Sequence, residues 1–162
     1  IISRTCSLFS LSEYLLYALI RSESFFDPKV VRHAGAVGLT QLMNSTAGDI
    51  AKKLKLSEYD LMDTETNITF GSFYLAELIR RLDGSIILAA FSYNGGISRV
   101  RSWVKSAAIE FGAKKVPADL FLEALPYEET REYGRKIVSA AGIYGWLYYG
   151  KSTSEVAKEI LD

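Results

Sequence analysis

The feature that most constrains this chain is the spacing of its apolar residues. They recur at intervals of three and four in segment after segment, and alternation with a period of two is almost absent. Ile68, Leu75, Leu78, Ile79 and Leu82 make one such stripe; Tyr133, Ile137, Ala141, Tyr144 and Tyr148 make a second, inward face. A chain patterned this way packs helix on helix and has room for at most a small β-hairpin. Its 162 residues are the size of one domain, and a hydrophobic content of 49% supplies a single packed core.

Glycines, prolines and caps divide the pattern into elements. Residues 11–24 read as a helix that ends ahead of Pro28, because the residue before a proline is pushed out of the α region. Residues 30–43 carry Gly35 and Gly38 and read as a tight loop, after which Asn44, Ser45 and Thr46 are candidate caps for a helix over 47–54. A polar connection over 57–66 leads to a helix from Asn67 to Leu82, stopped by Asp83-Gly84. Ser85 caps the next helix, which Gly95-Gly96 ends, and shorter helices are expected over 98–105 and 118–124. The last long helix follows Pro126 and opens on Glu128 and Glu129, whose charge suits a helix N-terminus. Residues 151–154 read as the start of a linker, and EVAKEILD as a short amphipathic end. The expected organisation is one catalytic-sized domain over 1–150 and a tail over 151–162 that leads to, or packs from, a further region.

Composition narrows the function. Nineteen basic residues balance nineteen acidic ones, so no net field draws the chain to nucleic acid or to anionic lipid. Cys6 is the only cysteine and His33 the only histidine, which leaves no disulfide and no cluster at zinc-ligand spacing; no metal and no cofactor are expected. No apolar run approaches the roughly 20 residues of a membrane span. The start at Ile1 rather than Met reads as a processed product or an excised domain. The expected partner is a ligand recognised by a shaped site.

One residue breaks the helical pattern. Leu16, Leu19 and Ile20 lie on an apolar stripe whose next position is Glu23, a carboxylate followed by Ser24, Phe25 and Phe26. A carboxyl on an apolar face, flanked by two phenylalanines, loses solvation of its charged form, which raises its pKa and suits it to donate a proton. The structural alternatives are an ion pair, with Arg131 for example, or a side chain that reaches solvent at the helix end.

The surrounding text decides which reading to pursue. IRSESFFDPKVVRHAGAVGLTQLM contains a Glu-Ser pair after a helix, a proline a few residues on, and the segment Ala34 to Met43; DTETNITFG, FSYNGGISRVRSW and LPYEETREY follow in order. Together these blocks resemble the lytic transglycosylases with a goose-type lysozyme-like domain, specifically the soluble lytic transglycosylase group. The resemblance implies a mainly α, lysozyme-like single domain of the α+β lysozyme superfamily and an enzyme that cleaves peptidoglycan in the bacterial periplasm or cell envelope. Carried over residue by residue, Glu23 corresponds to the catalytic acid/base and Ser24 to the serine after it. Gln41 and Met43 correspond to groove residues, Tyr93 and Asn94 to a pair facing the carboxyl, and Glu129 and Tyr133 to the far wall of the cleft. Chemically, Gln41 and Asn94 offer donors and acceptors to a sugar, while Tyr93 and Tyr133 join an apolar ring to a polar tip. Met43 equally suits core packing, Glu129 a helix start, and Trp103, Tyr127 and Tyr144 either sugar stacking or the core.

The resemblance further implies a single-carboxylate mechanism. Glu23 protonates the glycosidic oxygen between N-acetylmuramic acid and N-acetylglucosamine, then deprotonates the muramic 6-hydroxyl, which closes a 1,6-anhydro ring. A second acid would instead make a hydrolase of the goose-type lysozyme kind, and loss of turnover would leave a peptidoglycan-binding module. Three positions depart from the family pattern: Arg32 stands for a common serine, Asn44 for a proline and Gly95 for an alanine. Arg32 bears most on the chemistry, since a cation near the cleft would lower the pKa of Glu23 or bind a carboxylate of the peptide stem.

Overall fold

The computed structural model describes residues 1–110 and 117–162. These divide into two compact units, Ile1–Ala76 and Glu77–Asp162.

The first unit opens on α1 (Ile2–Phe9) and α2 (Glu13–Ser24), which pack together. The first helix was not legible in the pattern, because Ser, Thr and Cys are indifferent helix formers; packing fixes it. Thr5 and Cys6 are buried, Phe9 meets Phe73 edge-on at 5.7 Å, and Arg4 pairs with Glu65. Burial also pushes the Cys6 thiol up to about 11, so it is a core residue rather than a nucleophile. The apolar stripe of α2 is fully buried at Leu16, Leu19 and Ile20, each worth about 2 kcal/mol of transfer free energy.

The helix ends earlier than the proline requires. Ser24 is its last residue, and Phe25 and Phe26 both take left-handed backbone, with φ of 53° and 65°. Beyond the loop, β1 (Ala36–Val37) and β2 (Leu42–Met43) form the expected small hairpin, antiparallel, with Ala36 opposite Met43 and Val37 opposite Leu42. Strand pairing holds the chain extended through Met43, so α3 (Asn44–Leu54) starts at once with Met43 as its N-cap. The expected side-chain caps are therefore inside the helix, and no side chain caps its end.

The helix α4 (Thr64–Arg81) starts three residues before the expected Asn67. Asp63 sets that start: its carboxylate accepts from the Thr66 backbone N–H at 2.8 Å, and this bond, with the Thr66 hydroxyl, holds its pKa below the usual range.

In the second unit α5 (Ile86–Gly95) is capped by Ser85, whose Oγ accepts from the Leu88 N–H at 3.4 Å, as expected. It is followed by α6 (Ile97–Glu110), longer than the expected 98–105, then α7 (Ala118–Ala124) and α8 (Glu128–Tyr149). The segment expected to be a linker is instead the cap of α9 (Thr153–Leu161). Ser152 and Glu155 form a capping box: Glu155 N–H donates to Ser152 Oγ at 3.2 Å, and Glu155 Oε2 accepts from the Ser152 N–H at 2.7 Å.

The helix α9 packs back on α8, with Val156 and Ile160 buried. This docking corrects the inward face expected for α8. Tyr133, Ile137 and Ala141 are buried, but the stripe then turns to Gly142, which faces Thr153, and to Gly145, where a side chain would strike Val156. Tyr144 is left half-buried and Tyr148 exposed. Near the start of α8, Gly134 lets α5 approach closely, since a Cβ there would run into Phe91. Among the described residues, no helix is long and apolar enough to cross a membrane.

Candidate active site

Glu23 lies in the last turn of α2 and is 7% exposed, with Ser24 beside it at 6%. The reading in which its side chain reaches solvent is thereby excluded. The phenylalanines do not cause the burial, because Phe25 is 74% exposed and Phe26 42%. The carboxyl is buried because it continues the face of Leu16, Leu19 and Ile20.

The helix end around Glu23 is held by hydrogen bonds. Ser24 Oγ donates back to the Ile20 carbonyl at 3.1 Å, Phe25 N–H to the Arg21 carbonyl at 3.1 Å, and Asp27 N–H to the Ser24 carbonyl at 3.1 Å. Arg32, the departure of greatest interest, donates its Nη2 to the backbone carbonyl of Glu23 at 2.7 Å. It thus puts a cation on the negative end of the helix and ties the following loop to the carboxyl-bearing residue.

That loop is built around Gln41, a buried residue in left-handed backbone with φ of 49°. Its Nε2 donates to the Val30 carbonyl at 2.9 Å and to the Gly38 carbonyl at 2.8 Å. Because both neighbours are acceptors, the amide orientation is fixed by the network. Gln41 was expected to offer both donors and an acceptor to a ligand; both donors are in fact spent on the loop. Its Oε1 is buried and has no hydrogen-bond partner among the described residues, so it is an acceptor awaiting a donor. Met43 is 41% exposed, which removes the core-packing alternative for it.

The loop is in turn anchored by a residue to which the sequence reading assigned no role. Asn67, 1% exposed, accepts from the Thr40 N–H and Oγ1 at 2.8 Å each, and its Nδ2 donates to the Val37 and Leu61 carbonyls at 2.9 Å each. Gly38 and Gly71 permit this seating, since a Cβ on either would run into Asn67 or Thr40 respectively. The signal available was Asn67 itself, a short amide inside a helix-forming run.

The other expected residues belong to the second unit. Tyr93 and Asn94 are half-buried in the last turns of α5, and Asn94 Oδ1 accepts from Thr130 Oγ1 at 3.3 Å. That bond links α5 to the first turn of α8, where Glu129 is exposed. One turn further on, Tyr133 is 7% exposed. Trp103 stacks on Tyr127 at 4.7 Å rather than entering the core, and Tyr127 is half exposed. Arg131 Nη1 donates to the Leu125 carbonyl at 3.2 Å. The departure at Gly95 leaves ordinary room: a Cβ there would sit 3.6 Å from Thr130 Oγ1 and from Trp103.

The Transglycosylase SLT domain family matches residues 2–115. The chain belongs to that family. This SLT domain is 33% identical over 146 residues to the soluble lytic murein transglycosylase of Escherichia coli K12, covering 88% of the chain and 22% of that protein. It is 32% identical over 162 residues to membrane-bound lytic murein transglycosylase C of Yersinia pestis, covering 89% of the chain and 45% of that protein. The chain therefore spans about a fifth to a half of the length of these curated relatives.

Solved structures agree. An inactive glutamate-to-glutamine variant of lytic transglycosylase Slt from Pseudomonas aeruginosa superposes with a TM-score of 0.84 at 29% identity, over 99% of this chain and 25% of that one. The 70-kDa soluble lytic transglycosylase in complex with bulgecin A gives 0.85 at 30% identity, over 94% of this chain and 24% of that one. The SLT domain has the mainly α, lysozyme-like fold with a small antiparallel hairpin that the sequence resemblance implied.

Proposed function

We propose that this chain is the catalytic domain, over 1–150, of a peptidoglycan lytic transglycosylase working in the bacterial periplasm or envelope, with Glu23 as its single general acid and base. The observation that carries the reading is the buried carboxyl at the end of α2, 7% exposed inside an otherwise apolar stripe, in a chain of the SLT family. Two further facts support it. The relatives are named for action on murein, and a glutamate-to-glutamine change accompanies inactivity in the Pseudomonas aeruginosa protein.

In this mechanism a desolvated Glu23 enters the reaction protonated and gives its proton to the glycosidic oxygen as the bond from the muramic anomeric carbon breaks. The leaving N-acetylglucosamine keeps that oxygen as a hydroxyl. The acetamido group of the muramic residue stabilises the electron-poor anomeric carbon. The Glu23 carboxylate then takes the proton of the muramic 6-hydroxyl, whose oxygen bonds to the same carbon. Proton and charge balance, no water is consumed, and Glu23 ends protonated as it began.

Around it, Gln41 presents only its unpartnered Oε1, so it accepts one N–H or O–H of the substrate. Ser24, at the end of α2, and Met43, in the hairpin, are assigned with it as substrate-binding residues. Tyr93, Asn94, Glu129 and Tyr133 complete the assignment as substrate-binding residues. The test is release of soluble fragments from purified peptidoglycan by the parent chain and by Glu23→Gln. Anhydro-muropeptides from the parent alone support the reading. Hydrated reducing ends would make the chain a hydrolase, and an active, folded Glu23→Gln would overturn the assignment of Glu23.

A further inference from the structure

Phe25 stands immediately beyond the helix that carries Glu23 as its left-handed C-cap, with its N–H on the Arg21 carbonyl, yet its ring is left largely open to water. Its φ of 53° is the left-handed region that glycine adopts freely and a bulky side chain adopts under strain. Among the described residues, the others in that region besides glycine are Ser10, Phe26, Gln41, Lys55 and Asp83, and only the two phenylalanines are apolar. Phe26 recovers something by packing at 6.5 Å from Tyr17. Phe25 does not: it is 74% exposed, and the contact recorded for its ring is the Arg21 guanidinium 5.2 Å from the centroid. One face is thus supported by a cation while most of the ring surface is open to water. Ser10 and Lys55 cap their helices in the same conformation, so what sets Phe25 apart is a large apolar ring held in a fixed direction at an exposed cap beside Glu23.

We propose that Phe25 is a saccharide platform, a binding residue on which a pyranose ring of the glycan strand stacks beside the bond that Glu23 cleaves. The inference rests on the function proposed above and adds a specificity-determining contact to it. A pyranose has one apolar face of C–H groups with its hydroxyls projecting around the rim. An exposed aromatic ring matches that face and leaves the hydroxyls hydrated. The neighbouring polar groups suit the same ligand: the Gln41 acceptor lacks a donor, and Arg32 joins the loop that carries Gln41 to the Glu23 carbonyl.

The test separates stacking from structure through the sign of two effects. Glu23→Gln serves as a non-cleaving background, and binding is measured to purified glycan strands stripped of their stem peptides. Adding Phe25→Gly removes the ring and also relieves the left-handed strain, so the melting temperature is expected to stay level or rise. The dissociation constant is expected to rise about tenfold, in the range of one lost aromatic stacking contact. Phe25→Trp is expected to bind within about threefold of the background, since it restores a platform.

An unchanged dissociation constant for Phe25→Gly would overturn the proposal. So would weakened binding that comes with a lower melting temperature and no recovery in Phe25→Trp. A loss seen only on strands that keep their peptides would assign the ring to the stem and also overturn it. Cleavage by the parent chain is measured alongside, so failure of the enzymatic reading and failure of the platform register in different readouts.

Discussion

At the scale of single residues, Gln41 and Gly95 illustrate how differently two motif positions behave. The Gln41 amide holds the carbonyls of Val30 and Gly38. Gln41→Glu would turn both bonds into contacts between oxygens and leave two buried acceptors unpaired, so a loss of roughly 3 kcal/mol in denaturant unfolding is expected. An unchanged midpoint would show that the loop does not depend on the amide. Gly95 has the opposite character. Its site accepts a Cβ at ordinary distances, and the residue lies inside α5 with no positive φ, so Gly95→Ala is expected to stabilise by about 0.5 kcal/mol. Thermal unfolding reads this as a rise of about 1–2 °C, and a fall would mean that the helix end must move to admit the methyl group.

At the scale of elements, acid sensitivity concentrates at two helix starts. The carboxylates of Asp63 and Glu155 each accept hydrogen bonds at a cap, and those bonds hold both pKa values below the usual range. A carboxyl with a depressed folded pKa stabilises the fold above its unfolded value and loses that contribution as pH falls through the folded one. Parent and Glu155→Gln should therefore differ in melting temperature at neutral pH and converge in acid below the ordinary glutamate range. A gap that persists there would show that the carboxylate charge is not what matters.

The elements also show what was legible in the chain. Periodicity and glycine placement located α2, α4, α5, α7 and α8, because each carries a strong apolar stripe or a clear stop. It missed α1, whose polar residues become helical through tertiary contact, and misread the start of α9, although Ser152 and Glu155 carry the spacing of a capping box. Local patterns specify an element's existence better than its ends, since the ends depend on what packs there. Met43 makes the same point: strand pairing, a contact between segments, fixes where α3 begins.

At the scale of the whole molecule, the site was legible as a set of residue types in order rather than as geometry. Glu23 stood out because it broke an apolar stripe, and burial of that face is what the fold delivers. The spent donors of Gln41, the Arg32 bond to the Glu23 carbonyl and the anchoring by Asn67 could not be read, since each joins groups whose pairing follows from loop conformation. Arg32 in particular bonds to the helix end by its Nη2, a role distinct from those its charge alone suggested. The chain corresponds to about a fifth of the Escherichia coli relative, so its activity is best judged on the domain as it stands.

The measurement that tests the account most directly is mass analysis of fragments released from purified peptidoglycan by this chain and by Glu23→Gln. The account predicts 1,6-anhydromuramic ends from the parent and none from the variant. Hydrated reducing ends from the parent, or anhydro ends from a folded Glu23→Gln, would contradict it.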